Sequence, residues 1–410
     1  MYLKKIGIFA LSSLFWVNAN AEIRMVAIIK NVNITKINQE ELKKPEEVKL
    51  SDLKSVLGAY YSYGIGSDNM IYATGDNQFG QLAIGNKNNV NTWTKTLGLE
   101  GKNIKQISAG GYHGYALTTE GELYGAGWNS WAKQLGEGSS DSITWKKIFD
   151  NSSGKVIKAS AGETHGYLLT EDGKVFSAGS DSLGQRGGNT SSVWSEMTYL
   201  TNKKITDVFA VENSGFAISR TDDKVYVTGN NGNGELGLKH TNNVLNWEEN
   251  TYLNGLGIIS ITSNGSHVYA LSSSGKIYAT GNNINNQLGY SATGISEEFK
   301  ESSSNISSKV IQVEAGVDHG YALTDLGEVF VIGGNSLNQI GQGAAKTEWT
   351  KVLSLSGIKI KQISAGDYHA YALTEDDKVY MVGHNNRGQL GEGTNNTLTS
   401  WTYMGELGNF

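Results

Sequence analysis

Cysteine is absent from all 410 residues and proline occurs once, at Pro45. The first absence excludes disulfide staples and thiolate metal sites. The second, beside a glycine content of about 13%, excludes little by itself but fits many short strands joined by tight turns. An excess of positive charge is missing too: 34 basic and 40 acidic residues leave a formal charge of −6. A nucleic-acid partner is therefore not expected. No stretch after the N-terminus is long and apolar enough to span a membrane. Catalytic signatures are lacking as well: there is no phosphate-binding Gly-Lys-Ser/Thr loop, no His-Glu-x-x-His helix and no nucleophile elbow. Carboxylate pairs such as Glu46 with Glu47 and Asp376 with Asp377 sit in a linker and a turn, where solvation explains them. An enzyme is not expected, nor is a cofactor.

What is present begins with an export pattern. Lys4 and Lys5 form a charged start, Ile6 to Val17 an apolar run, and Ala19-Asn20-Ala21 a small-residue cleavage site before Glu22. Residues 1–21 read as a signal peptide, because the apolar run of about 12 residues falls short of the roughly 20 a membrane anchor needs. The mature chain is then secreted or periplasmic. Residues 22–52 read as an N-terminal strand and linker. The β-rich stretch 23–29 is expected to close a ring by sharing a blade with the chain's other end.

The rest of the chain repeats. An apolar run ends in glycine at Gly75, Gly127, Gly179, Gly229, Gly281, Gly333 and Gly383, at spacings of 52, 52, 50, 52, 52 and 50 residues. Such a period marks units that bury their cores only against their neighbours. Fourteen residues before each marker glycine stand Tyr61, His113, His165, Gly215, His267, His319 and His369. Two residues after it stand Asn77, Asn129, Asp181, Asn231, Asn283, Asn335 and Asn385. Some 15 to 18 residues after it stand Trp93, Trp145, Trp194, Trp247, Phe299, Trp349 and Trp401. Each unit resolves into four short strands, with no sustained helical periodicity. The fold class is all-β, a seven-bladed β-propeller of four-stranded blades over residues 53–410.

The motifs Ala-Gly-x-x-His-x-x-x-Leu-Thr, Gly-x-Val-Tyr and Gly-x-Asn-x-x-Gly-Gln-Leu-Gly together resemble the regulator of chromosome condensation repeat. The clearest copies are Ala109 through Gly136 and Ala365 through Gly391. The resemblance implies a seven-bladed propeller. For its founding type it implies action on a small nuclear GTPase, expelling the nucleotide through one face. With its export signal and seven related repeats the chain is also similar to a secreted bacterial propeller that inhibits β-lactamase. It departs from that member in its Gly-Gln-Leu-Gly loops and tryptophans, which are closer to the founding type. A fold is a platform, and function is argued from sites.

The repeated histidines stand on separate blades, whereas metal ligands converge on one ion within about 2.0–2.1 Å. They read as structural, each imidazole satisfying backbone at a blade turn; His240 and His384 lie outside the series without evident partners. The tryptophans read as packing between sheets, and the Asn/Asp-rich loops lack the acidic ligands calcium needs. No metal site is expected. Candidate interaction residues are those that break the pattern. Trp128 and Trp131 sit in a loop one residue longer than its sisters, where exposed tryptophans serve as interface anchors or cap the edge of blade 2. Just before the His position stand Tyr60, Tyr112, Thr164, Ser214, Ser266, Asp318 and Tyr368. If these turns share a face, Tyr60, Tyr112, Tyr368 and Asp318 form an aromatic, acidic ring; the alternative is ordinary loop variation. The expected function is that of an exported binding module, an inhibitor or effector acting through protein–protein contact. The alternatives are a secreted nucleotide exchange factor for a small GTPase and a glycan-binding propeller. A protein partner is expected, a surface glycan is the alternative, and the protein is expected to be a monomer.

Overall fold

In the computed structural model the described residues are 16–19, 22–25, 56–58 and the span 60–404 apart from 67, 137, 139, 150, 189–190, 192 and 291–293. They fall into two units, Met1–Glu47 and Val48–Phe410. In the first, Trp16–Ala19 pairs antiparallel with Glu22–Met25, so that Asn18 faces Ile23. Ile23 to Met25 thus pair with residues close in sequence and not within a blade. The remainder of the expected 23–29 strand lies outside the described residues.

The second unit holds seven four-stranded antiparallel sheets, each built from four consecutive strands. It is a seven-bladed β-propeller. Blade 2 shows the pattern: Ile104–Ala109 at the channel, then His113–Thr118, Leu123–Gly127 and, outermost, Ser142–Lys147. The second strand of every blade is buried at every position. It has a partner strand on either side and a neighbouring blade against each face, so burial runs continuously along it and does not alternate. No helix among the described residues is long and apolar enough to cross a membrane.

The hydrophobic core is divided among the junctions between blades. Tyr61, Tyr63 and Ile71 of blade 1 pack with Ile104, Ile107 and Trp145 of blade 2 in one cluster, and Trp93 of blade 1 joins Tyr371, Leu373 and Met381 of blade 7 in another. At each of these junctions the large rings bury roughly 150–250 Å² apiece. Blade 7 meets blade 1 without exchanging a strand. There Thr74 Oγ1 donates to the Gly388 carbonyl at 2.8 Å, Gly393 N–H donates to Asn91 O at 2.8 Å, and Tyr371 Oη donates to Ser62 Oγ at 2.8 Å. The ring is closed by the same face-to-face packing that joins the other blades.

Candidate functional site

One face of the ring carries the turns between first and second strands together with the long loops between third and fourth strands. The marker glycines fix where those loops begin. All seven hold φ between 92° and 108°, and a Cβ on any of them would lie 2.6 to 2.8 Å from the Cα of the residue paired across the hairpin. Only glycine fits such an approach in that conformation. Two residues on, the side-chain oxygen of Asn77, Asn129, Asp181, Asn231, Asn283, Asn335 and Asn385 accepts the backbone N–H five or six residues later, at 2.7 to 3.0 Å. Each loop is therefore tied by a side chain of its own, buried in five of the blades and partly buried at Asp181 and Asn335.

The repeated His113, His165, His267, His319 and His369 are fully buried at the start of the second strand. Burial pushes the imidazoles of His113, His165, His267 and His369 down to about 3, so they are neutral. The expected backbone hydrogen bonds do not close at His113, His165 or His267, although His165 lies near the backbone of Ser214 and His267 near that of His319, whereas His369 Nε2 meets the Ser62 hydroxyl at 3.3 Å. Tyr61, which takes the place of histidine in blade 1, does close the bond, donating to Gly110 O at 3.0 Å and His113 O at 2.5 Å one blade on. In blade 4 the residue paired with the marker glycine is Ser214, not Gly215. The hairpin after Ser219 is one residue longer there, which shifts the count, and Asn213 takes the ring position expected for Ser214. His240 has partners within its own loop, accepting the Asn242 N–H at 3.2 Å.

The tryptophan series lies between blades. Trp145 stands 5.5 Å from Tyr63, Trp194 5.7 Å from Tyr115, Trp247 5.5 Å from Tyr167, Trp349 5.6 Å from Tyr269, Trp401 5.7 Å from Tyr321 and Trp93 6.2 Å from Tyr371, centroid to centroid. Each tyrosine belongs to the blade before. Phe299 fills the same place beside Phe216 and Leu236. No group of three His, Asp or Glu side chains among the described residues comes together at metal-binding spacing.

Of the pattern-breaking residues, Trp128, Trp131 and Tyr112 come together. Trp128 and Trp131 stack at 5.8 Å and 12°, Trp128 meets Tyr112 edge-on at 6.0 Å, and Phe79 of blade 1 completes the cluster at 5.3 Å from Trp128 and 5.1 Å from Tyr112. Trp131 is 67% exposed. Phe79 was not apparent from sequence, because it stands in a loop whose length matches its sisters. Tyr60, Tyr112 and Tyr368 line the mouth of the central channel, a cavity of about 610 Å³. Asp318 stands apart from that lining: it accepts the Gln339 amide at 2.8 Å and lies 3.4 Å from His319 Nδ1. Burial alone would raise its carboxyl, but those contacts hold it below the usual carboxylate range.

The channel mouth is acidic through residues that sequence reading passed over. Glu163, Glu212 and Asp367 each stand one position ahead of the ring set, and their signal was a carboxylate at one phase of three separate repeats. The turns are laced together around the mouth: Gly111 N–H donates to Gly162 O at 3.2 Å, Glu163 N–H to Glu212 O at 2.8 Å, and Val317 N–H to Asp367 O at 3.1 Å. Burial, then the charges of Glu163 and Asp367, push the Glu212 carboxyl up to about 7. Burial raises Asp367 to about 6 despite hydrogen bonds from Tyr60 and Asn264, and burial raises Glu314, on the inner wall, to about 7.

Family models for the Regulator of chromosome condensation (RCC1) repeat match residues 104–130, 156–185 and 360–389, and residues 327–373. Those segments are similar to the regulator of chromosome condensation repeat. It is 25% identical over 305 residues to human E3 ubiquitin-protein ligase HERC2, a match covering 72% of this chain and 6% of that protein. The repeat-bearing chain thus spans a small fraction of the curated relative it matches. Among solved structures it superposes on human WBSCR16 with a TM-score of 0.74 and 20% identity, covering 82% of this chain and 94% of that one. Yeast Prp20p, studied for its binding to Gsp1p and histones, gives a TM-score of 0.74 at 18% identity, covering 88% and 89%. At these identities the structures share the fold with this chain.

Proposed function

We propose that this RCC1-repeat propeller is an exported binding module that holds a protein partner on the face carrying the channel mouth and the blade 2 loop. The observation that carries the reading is the cluster of Phe79, Tyr112, Trp128 and a 67% exposed Trp131. Stacked, pre-positioned aromatics bury large area for little conformational entropy, which is what an interface anchor needs. Export rests on the pattern of residues 1–21. Related propellers supply precedent for protein partners, since Prp20p is described with Gsp1p and histones. Crosslinking and mass spectrometry on the protein in its own cells should recover an envelope or extracellular protein bound through Trp131. Pull-down should fail when Tyr112, Trp128 and Trp131 become alanine; unchanged capture by that variant would refute the site. Release of nucleotide from a purified small GTPase would instead favour an exchange factor, and retention on a glycan surface would favour a glycan-binding propeller.

A further inference from the structure

The seven turns between first and second strands, residues 59–60, 110–112, 162–164, 211–213, 264–266, 316–318 and 366–368, contain four carboxylates and no lysine or arginine. Ion pairs among the described residues engage other carboxylates and leave Glu163, Glu212 and Asp367 without a cation. The described cation on the channel wall, Lys158, is taken by Asp207 at 2.8 Å and lies over the Phe209 ring at 3.7 Å. Glu212 is held at φ 45°, a left-handed conformation that is strained for a non-glycine residue. Its carboxylate has no ion pair or side-chain hydrogen bond among the described residues. Beside this acidic mouth stands the aromatic cluster, whose faces are negative in their own right. A neutral or anionic partner would cover these carboxylates, of which Asp367 is already buried, Glu212 partly buried and Glu163 exposed, without compensating their charge.

Resting on the reading of this face as a protein interface, we infer that the partner presents a basic segment to it. An arginine side chain enters the mouth between Tyr60, Tyr112 and Tyr368 to meet Glu163, Glu212 and Asp367, while neighbouring residues of the segment lie across Trp128 and Trp131. Arginine suits the mouth better than lysine, because its planar guanidinium pairs with carboxylates and stacks on aromatic rings at once. The channel behind the mouth has room for the aliphatic stem, and Glu314 waits on the inner wall as a further acceptor.

The test uses the purified chain and a fluorescein-labelled octa-arginine peptide, followed by anisotropy at low salt. The triple variant Glu163→Gln, Glu212→Gln, Asp367→Asn should bind at least about 10-fold more weakly, the loss typical of removing partners from a desolvated charge pair. A control of equal charge change on the opposite face, Glu120→Gln, Glu171→Gln, Asp325→Asn, should lose no more than about 2-fold, as exposed charges do. Equal loss in both triples, or none in the first, overturns the inference. Glu212→Gln alone, with its melting temperature checked, should still weaken binding several-fold, so a folding defect in the triple cannot decide the result. If the cellular partner crosslinks to Trp131 but binds the first triple unchanged, the interface stands and the basic segment does not. If the partner maps to the opposite face, both fall.

Discussion

The hydroxyl of Tyr115 in blade 2 lies directly over Gly166 in blade 3, where a methyl carbon on the glycine would overlap it. Tyr115 Oη donates to Gln134 O at 2.5 Å, so the hydroxyl has no freedom to retreat. The same pairing joins Tyr63 to Gly114, Tyr167 to Gly215 and Tyr269 to Gly320. Where blade 4 carries Phe216, lacking the hydroxyl, blade 5 carries Val268 at the facing position. Gly166→Val should therefore destabilise the protein by about 1–3 kcal/mol through overpacking, seen as a melting temperature lower by several degrees. Adding Tyr115→Phe should restore part of the loss, and an additive double variant would refute the coupling.

The loop tie at Asn231 supports a second expectation. Its Oδ1 accepts the Leu236 N–H at 2.8 Å, and both residues are fully buried. Asn231→Ala strands that donor and should cost about 1–3 kcal/mol. Asn231→Asp keeps the acceptor, as Asp181 does for Arg186 N–H in blade 3 at 2.7 Å, but loses the Nδ2 donations to His240 O at 2.7 Å and Asn242 O at 3.1 Å, so it should recover only a small part of that loss. Thermal unfolding of the two variants checks the difference.

Trp131 separates binding from stability. An exposed side chain away from special backbone contributes within about 0.5 kcal/mol to folding, whereas a hot-spot tryptophan contributes 2 kcal/mol or more to association. Trp131→Ala should melt with the parent and lose roughly 30-fold or more in partner affinity. Trp145→Ala, which empties a buried site between blades 1 and 2, should do the reverse and cost about 3–5 kcal/mol of stability.

Two sets of buried groups give opposite pH responses. Glu212, raised in the folded state to about 7, is protonated more readily folded than unfolded, so its contribution is complete below the unfolded value near 4.3 and is lost as pH rises through 7. Glu212→Gln should match the parent near pH 4 and be the more stable at pH 8. His113, lowered by burial to about 3, contributes stability above about 6.5 that is lost as pH falls toward 3. His113→Gln should flatten the fall in melting temperature between pH 6.5 and 4. Melting curves across that range read both signs.

The fold was legible because one period carried four kinds of evidence at once: a glycine with forced φ, an Asn two residues on, an aromatic on the outer strand and a polar residue opening the second. The breaks were harder to read. A single extra residue after Ser219 displaced the blade 4 register, since counting back from Gly229 cannot see which hairpin holds the insertion. Glu163, Glu212 and Asp367 escaped notice because each is unremarkable in its own turn and becomes a cluster only when the turns converge on the channel. Trp128 and Trp131 did show, by exceeding the repeat, but their meeting with Phe79 is a contact between blades that no single repeat encodes.

Closure of the ring by packing, with Trp93 of blade 1 lying against Tyr371 of blade 7, has a consequence for synthesis. The partners of this last seam are separated by nearly the whole propeller sequence, so blade 1 keeps one face bare until the residues of blade 7 have emerged. A chain released early carries two unmatched flanks, because the seam that would cover them cannot form. The blade 1–blade 7 seam therefore cannot form until the last fifty residues are made, and those residues complete the burial of the first blade.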